Sequence, residues 1–298
     1  RPDQFARNLA SQRARLIALV YDDPSAYEVP SSGYVIRLQQ GTLRACRAAN
    51  YELLIHPCRY RSKDVVDQLE ALLRHIRPAG VILAAPLSNM PRIVHAIQAS
   101  GTPLVRLSPG RQDGNQYCVA TNDREISADM TRYLASLGHR RIAFIKGNRQ
   151  HKAVGNRYKG FIDGLQASGL QLVSDLVEQG DNSVGSGEEC AWRLLRSIQP
   201  PTAVFAANDD MAAGVMRVAA QLGIEIPARL SVAGCDDISL ARQIYPSLTT
   251  IRQPIAAMAE LATLALVDRS RKDSLRNGIA VVPAQLRIRE STGPAPSR

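Results

Sequence analysis

Two apolar runs of the 298-residue chain end in adjacent polar acceptors: AVFAANDD from Ala203 to Asp210, and LSVAGCDD from Leu230 to Asp237. In open α/β sheets ligands sit beyond the carboxyl ends of the strands. Asn208 and Asp236, the first polar side chains after each run, are therefore candidate ligand contacts. Asp209 and Asp210 are expected instead to cap the helix that follows near Met211. Arg157 comes after a polar loop, 147–156, at the expected start of a helix, where a guanidinium offers a planar fork to hydroxyls or a carboxylate. Asp22 and Asp23 follow another apolar run, with Tyr27 close behind; a tight Asp-Asp-Pro-Ser turn accounts for these acids equally well. Carboxylate and amide acceptors opposed by an arginine and an aromatic suit a polyhydroxylated ligand, because each hydroxyl wants both an acceptor and a donor. Sugar is the expected ligand class.

Catalysis ranks below binding. A glycosidase pair needs two acids at a fixed separation, one of them in an apolar pocket, and nothing in the spacing singles out such a pair. Gly185-Ser-Gly187 lacks a third glycine and follows no expected strand, no phosphate-binding loop of the Gly-x-x-x-x-Gly-Lys type exists, and there is no Gly-x-Ser-x-Gly elbow. No enzyme activity and no cofactor are expected. The five cysteines stand singly and the five histidines have no ligand-spaced partners, so neither a disulfide framework nor a metal site is indicated. The formal charge of +10 admits nucleic acid as a partner. Its one local concentration is Arg1, Arg7, Arg13 and Arg15, which share a short segment with a single acid, Asp3. No apolar stretch reaches the eighteen or so residues that a membrane span needs, and the Arg-Pro-Asp-Gln opening does not resemble an export signal, so a soluble, cytoplasmic protein is expected.

The elements that must position these residues alternate. Short runs of β-branched and aliphatic residues at 16–20, 52–55, 80–84 and 104–107 read as strands, with helical periodicity over 38–49, 64–74 and 91–99 between them. After an irregular piece at 108–116 the rhythm restarts. Strands are expected at 142–145, 176–177, 203–206 and 230–233, and helices at 125–136, 157–167, 188–198 and 211–222. The tail adds a strand at 248–251, a helix at 255–267 and strands at 279–282 and 286–288. The fold class is α/β, with two tandem doubly wound parallel sheets and several chain crossings between lobes. The expected boundaries are 1–13 for a leading segment, 14–119 with 249–282 for the first lobe, and 120–248 with 283–298 for the second.

Several segments together resemble the sensor core of the lac and galactose repressor family. They are Asp175-Leu-Val to Gly180-Asp181, Ser186-Gly187, PTAVFAANDDMAAG at 201–214, Ile226-Pro227, LSVAGCDDI at 230–238 and PSLTTIRQP at 246–254. LGHRRI at 137–142, Arg157 with Gly160 and Phe161, and LRIREST at 286–292 agree. The likeness spans essentially the whole chain. It implies a periplasmic-binding-protein-like effector domain of a transcriptional repressor that forms a homodimer, binds a small effector and acts on operator DNA. RPDQFARNLAS at 1–11 resembles the family's hinge helix, in which Arg7 would face DNA and Leu9 would wedge into the minor groove. The helix-turn-helix headpiece is expected ahead of it, outside this sequence. By the same resemblance Arg157, Asn208, Asp236 and Tyr27 fall at effector contacts, and Asp22, Asp23, Asn122 and Asn182 complete the expected set. Asn182 stands where the family commonly carries an aromatic after Gly-Asp, which disfavours a planar, purine-like ligand. The rival from another class is a periplasmic sugar-binding protein of a transport system. The reading frame upstream of Arg1 separates the two: a helix-turn-helix for the regulator, an export signal for the carrier.

Overall fold

The computed structural model describes residues 14–23, 33–110, 116–268 and 278–297. Tyr27, Arg7 and Leu9 lie outside the described residues. The chain divides into two compact units: one runs up to Thr121 and resumes over Pro254–Val282, and the other comprises Asn122–Gln253 and the segment from Pro283. The chain thus passes from one unit to the other three times.

The first unit is a six-stranded sheet of β1 (Ala14–Asp22), β2 (Glu52–Cys58), β3 (Pro78–Leu83), β4 (Leu104–Leu107), β5 (Tyr117–Ala120) and β11 (Gly278–Val281) in the order β11-β5-β4-β3-β1-β2. Every neighbouring pair is parallel. A parallel sheet is covered on both faces, so its central strands read as continuous apolar runs. β1 shows how the faces divide. Ile17, Leu19 and Tyr21 enter one core with α1 (Gly33–Ala48) and α9 (Ile255–Val267), while Ala18 and Val20 enter another with α2 (Val65–Ile76) and α3 (Pro91–Ala99). In α2 the spacing of Val65, Leu69 and Leu73 puts one residue per turn on a single face, and these three are its buried residues.

The second unit repeats the plan in the order β12-β10-β9-β8-β6-β7, using β6 (Ile142–Lys146), β7 (Val177–Gln179), β8 (Ala203–Ala206), β9 (Ser231–Cys235), β10 (Thr249–Arg252) and β12 (Gln285–Arg287). All pairs are parallel except the edge strand β12, which runs antiparallel to β10. Helices α4 (Asp123–Ser136) and α5 (Lys152–Ala167) pack together, as do α6 (Val184–Leu195) and α7 (Asp209–Gln221); α8 (Leu240–Gln243) is a single turn. Gly160 lets α5 lie against α4, since a Cβ there would stand 2.1 Å from the Arg124 carbonyl oxygen.

Two of the three expected lobe boundaries move, and the one between 282 and 283 stays. Residues 249–253 belong to the second unit, because β10 pairs with β9 and β12, and Thr250 Oγ1 donates to the buried Asp209 carboxylate. The first unit extends to Thr121 because 117–120, expected to hold no strand, pairs with β4 and β11. All five cysteines are free and buried. His139 is wholly buried, its ring nitrogens held by Thr202 Oγ1, Ser231 Oγ and the Gly293 carbonyl, so it ties the final segment to β9. Among the described residues no helix is long and apolar enough to cross a membrane, and no group of three or more His, Cys, Asp or Glu could hold a metal ion.

Candidate functional site

In the second unit, β8 and β9 run out into Ala207-Asn208 and Asp236-Asp237, and α4 and α5 bring two further groups to that carboxyl edge. Arg157 lies in the second turn of α5, which begins at Lys152 and not at Arg157 as expected. Its side chain is 8% exposed, and its Nε donates to Asp123 Oδ1 at 2.8 Å. Its Nη1 donates to the Ala207 carbonyl and lies 3.8 Å from Asp236 Oδ1. Nη2 has no hydrogen-bond partner among the described residues. Asp236 is held from its other side by Gln253, whose Nε2 donates to the same Oδ1, which leaves Oδ2 without a partner among the described residues.

The two consecutive acids after β9 part company. Asp236 and Asp237 both have positive φ, +125° and +53°, a region that non-glycine residues occupy at a cost and that clusters at functional sites. Asp237 is fully buried and accepts from Arg252 and Arg289. Burial alone would raise its pKa; those two hydrogen bonds win and hold it below its ordinary value. Asp236 goes the other way. Burial raises it, Arg157 opposes and Asp210 adds to the rise, so its charge is expensive where it stands. Asp123 is likewise raised by burial in spite of Arg157, and Asp209 by burial and then by Asp236. His151, at the start of α5, is pushed down to about 4 by burial and by Arg157, so its imidazole is neutral at ordinary pH.

Asn208, not Asp209 or Asp210, is the N-cap of α7. Its Oδ1 accepts from Met211 N at 3.0 Å and its Nδ2 donates to the Asn182 carbonyl at 2.9 Å. Asp209 turns inward, accepting from Ile238 N and Thr250 Oγ1. Asn182, at φ +80°, accepts on its Oδ1 from Asn148 N and lies against Gly147, where a Cβ would come within 1.9 Å of that oxygen. Asn122, directly before Asp123, accepts on its Oδ1 from Ala284 N at 2.8 Å, which fastens the last chain crossing. In the first unit, Asp22 Oδ1 accepts from Tyr60 N, and Asp23 donates its backbone N–H to the Cys58 carbonyl. Asp22 is raised by burial, with the Tyr60 hydrogen bond opposing.

The structure therefore joins Arg157 to Asp236, and Asn182 to Asn208, the latter pair connected to Arg157 through the Ala207 peptide. Reading the sequence missed Asp123, Gln253 and the Ala207 carbonyl. The polar pair Asn122-Asp123 ahead of a helical stretch was the available signal for the first; Gln253 and a backbone carbonyl give none.

Two α/β units that share three crossings and present a buried arginine–carboxylate pair at a sheet's carboxyl edge define a periplasmic-binding-protein-like sensor. The family pattern of the periplasmic binding protein-like domain matches residues 131–292. The HTH-type transcriptional regulator GalR of Escherichia coli (strain K12) is 32% identical over 280 residues, which cover 93% of this chain and 79% of that protein. The probable HTH-type transcriptional repressor ExuR of Bacillus subtilis (strain 168) is 28% identical, covering 89% of this chain and 77% of its own length. Among solved structures, the complex of the transcriptional regulator CelR with cellobiose superposes with a TM-score of 0.86 at 26% identity, covering 96% of this chain and 89% of that one. A LacI family transcriptional regulator from Enterococcus faecium with bound ribose superposes at 0.81 and 25% identity, covering 94% and 99%. The chain belongs to the LacI/GalR family of transcriptional regulators, of which it is the effector-binding core.

Proposed function

We propose that the core senses a small polyhydroxylated metabolite, a sugar, and that Arg157 and Asp236 bind it. The observation that carries this reading is the pair of unused atoms, Arg157 Nη2 and Asp236 Oδ2, on side chains otherwise locked by Asp123, Ala207 and Gln253. A ligand hydroxyl can accept from Nη2 and donate to Oδ2, which is the bonding pattern of a sugar. Preorganisation by neighbouring residues is what such a contact requires. The cellobiose and ribose bound by the two structural relatives support the same ligand class. Asn182, Asn208, Asn122, Asp22, Asp23 and Tyr27 complete the proposed effector set. In this reading the protein works in the cytoplasm as a homodimer on operator DNA, with Arg7 and Leu9 on the DNA side, and performs no chemical step. A two-fold protein matches a two-half-site operator, and sedimentation should read twice the 32.5 kDa chain mass.

The test is a thermal-shift screen of uncharged mono- and disaccharides. A ligand at a hundred times its Kd stabilises the native state by about 2.7 kcal/mol. Asp236→Ala and Arg157→Gln should each abolish the response to the sugar found while the far-UV circular dichroism stays native. Undiminished affinity in either variant would show that the ligand sits elsewhere.

A further inference from the structure

We infer that this site selects its effector by charge, accepting uncharged or amine-bearing polyols and rejecting sugar acids and sugar phosphates. The inference rests on the reading of Arg157 and Asp236 given above and narrows its ligand class.

An arginine recruits a carboxylate or phosphate through two parallel N–H groups, the bidentate fork. Both forks of Arg157 are already partly engaged: the one made by Nε and Nη2 at Nε, the one made by Nη1 and Nη2 at Nη1. Its Nε is taken by Asp123 at 2.8 Å, and its Nη1 by the Ala207 carbonyl, with Asp236 Oδ1 on the same nitrogen at 3.8 Å. Nη2 is the nitrogen with no hydrogen-bond partner among the described residues; it suits a hydroxyl oxygen, whereas an anion that used Nη2 together with Nη1 would come up against Asp236, 3.8 Å from Nη1.

The guanidinium's charge is committed as well. Two carboxylates, Asp123 and Asp236, already stand against this one cation, with side chains 6% and 11% exposed. Asp210 adds to the burden on Asp236, while Asp209, pushed up to about 8 by burial, keeps most of its proton at pH 7.5 and adds little charge. Asp237 does not join this surplus, because Arg252 and Arg289 neutralise it. Lys146, at the end of β6, is directed to the Tyr158 ring at 3.9 Å and supplies no counter-charge to the carboxylates. An anionic ligand that reached Nη2 would also face Asp236 Oδ2, the second unused atom of the pair. In a poorly hydrated setting that repulsion is screened several-fold less than in water. A hydroxyl turns its proton toward Oδ2 and meets no such penalty, and an ammonium gains from it.

The experiment uses the whole chain and matched derivatives of several hexoses and pentoses: the uncharged sugar, its amino derivative, its carboxylate and its phosphate, with the charged group at either end. Affinities are read by isothermal titration calorimetry at pH 7.5. For any uncharged sugar that binds, the carboxylate and phosphate should bind at least about tenfold more weakly, near 1.4 kcal/mol, and Asp236→Asn should narrow that gap. An anionic derivative as tight as its uncharged parent, or a gap untouched by Asp236→Asn, overturns the inference. Binding by anionic derivatives alone overturns it too. If no probe of any charge binds, it is the assignment of a sugar to this site that has failed.

Discussion

Replacing Asp123 by alanine removes the carboxylate that holds Arg157 in place and leaves a guanidinium buried with its nearest remaining acid 3.8 Å away. Breaking one side of a buried ion pair typically costs about 3–5 kcal/mol, because the surviving charge stays out of water without compensation. Asp236 still faces Nη1, which places the expected loss near the lower end, about 3 kcal/mol. In a unit of about 150 residues that lowers the midpoint of thermal unfolding by roughly 6–12 °C. The assay is built in. Trp192, the single tryptophan, packs against the second unit's core, so its fluorescence in urea follows the unit that contains the pair. Burial outweighs Arg157 at Asp123 and leaves that acid's pKa raised, so the pair as a whole adds little stability even though each half depends on the other. The double variant Asp123→Leu with Arg157→Met should therefore recover most of the loss, although it will not bind ligand. A single-variant loss under about 1 kcal/mol, the range of exposed pairs, would refute the reasoning, since it would mean that water reaches the guanidinium and that the site is not preorganised.

Asn208→Ala should cost about 1 kcal/mol through the lost N-cap of α7 while lowering sugar affinity less than Asp236→Asn does, as urea titration and calorimetry together would show; the reverse ranking would make Asn208 a principal ligand contact. Two glycines of α5 should respond oppositely: Gly155→Ala, which meets nothing within 4 Å, gains up to about 1 kcal/mol of helix propensity, whereas Gly160→Ala, whose Cβ would press on the Arg124 carbonyl, loses about 1–3 kcal/mol net. Stability of the second unit should fall as pH rises from 6.5 to 8. Asp209 is pushed up to about 8 from an ordinary 3.8, so the native state holds more protons than the unfolded chain and loses that advantage on ionisation. Below 6.5 the lowered His139 and His151 act in the opposite direction, because only the unfolded chain can protonate them readily. Asp209→Asn should flatten the upper slope, and a slope that persists in that variant would assign it to another group.

The parallel core was legible because burial on both faces writes itself as unbroken aliphatic runs, as in the stretch from Leu16 to Val20. Two of the three lobe boundaries were not. Thr249 and Thr250 carry no sign of which sheet they join, and their allegiance comes from partners far along the chain, Thr292 and Asp209. β5 was hidden for a related reason: Tyr117-Cys-Val-Ala is only four residues long and is preceded in the sequence by a run of Pro, Gly and polar residues with no helical periodicity. At the site, residue type and position after a strand were enough to pick out Asp236 and Arg157. They could not give the cap of α7 to Asn208 instead of Asp209, or pair Asp237 with Arg252 and Arg289, because that choice is made by backbone conformation and by which neighbour donates. Gln253 becomes visible only once β10 is known to lie beside β9.

The three chain crossings set a timetable for synthesis. The first unit lacks one wall of its core until α9 is made, since Met258, Ala259 and Ala262 pack with Ile17, Leu19 and Leu38. It lacks an edge strand until β11 pairs with β5. At about 5–20 residues per second, the stretch between β5 and β11 takes roughly 8–30 s to emerge. For most of that interval the core face of β1, β3 and β4 has α1 but not α9 against it, while the second unit, lying almost wholly between those points in the chain, is being completed. A nascent first lobe thus depends on chaperone shelter for longer than the second, and amino-acid changes that slow the arrival of α9 would show as aggregation during expression while leaving the stability of the finished protein unchanged.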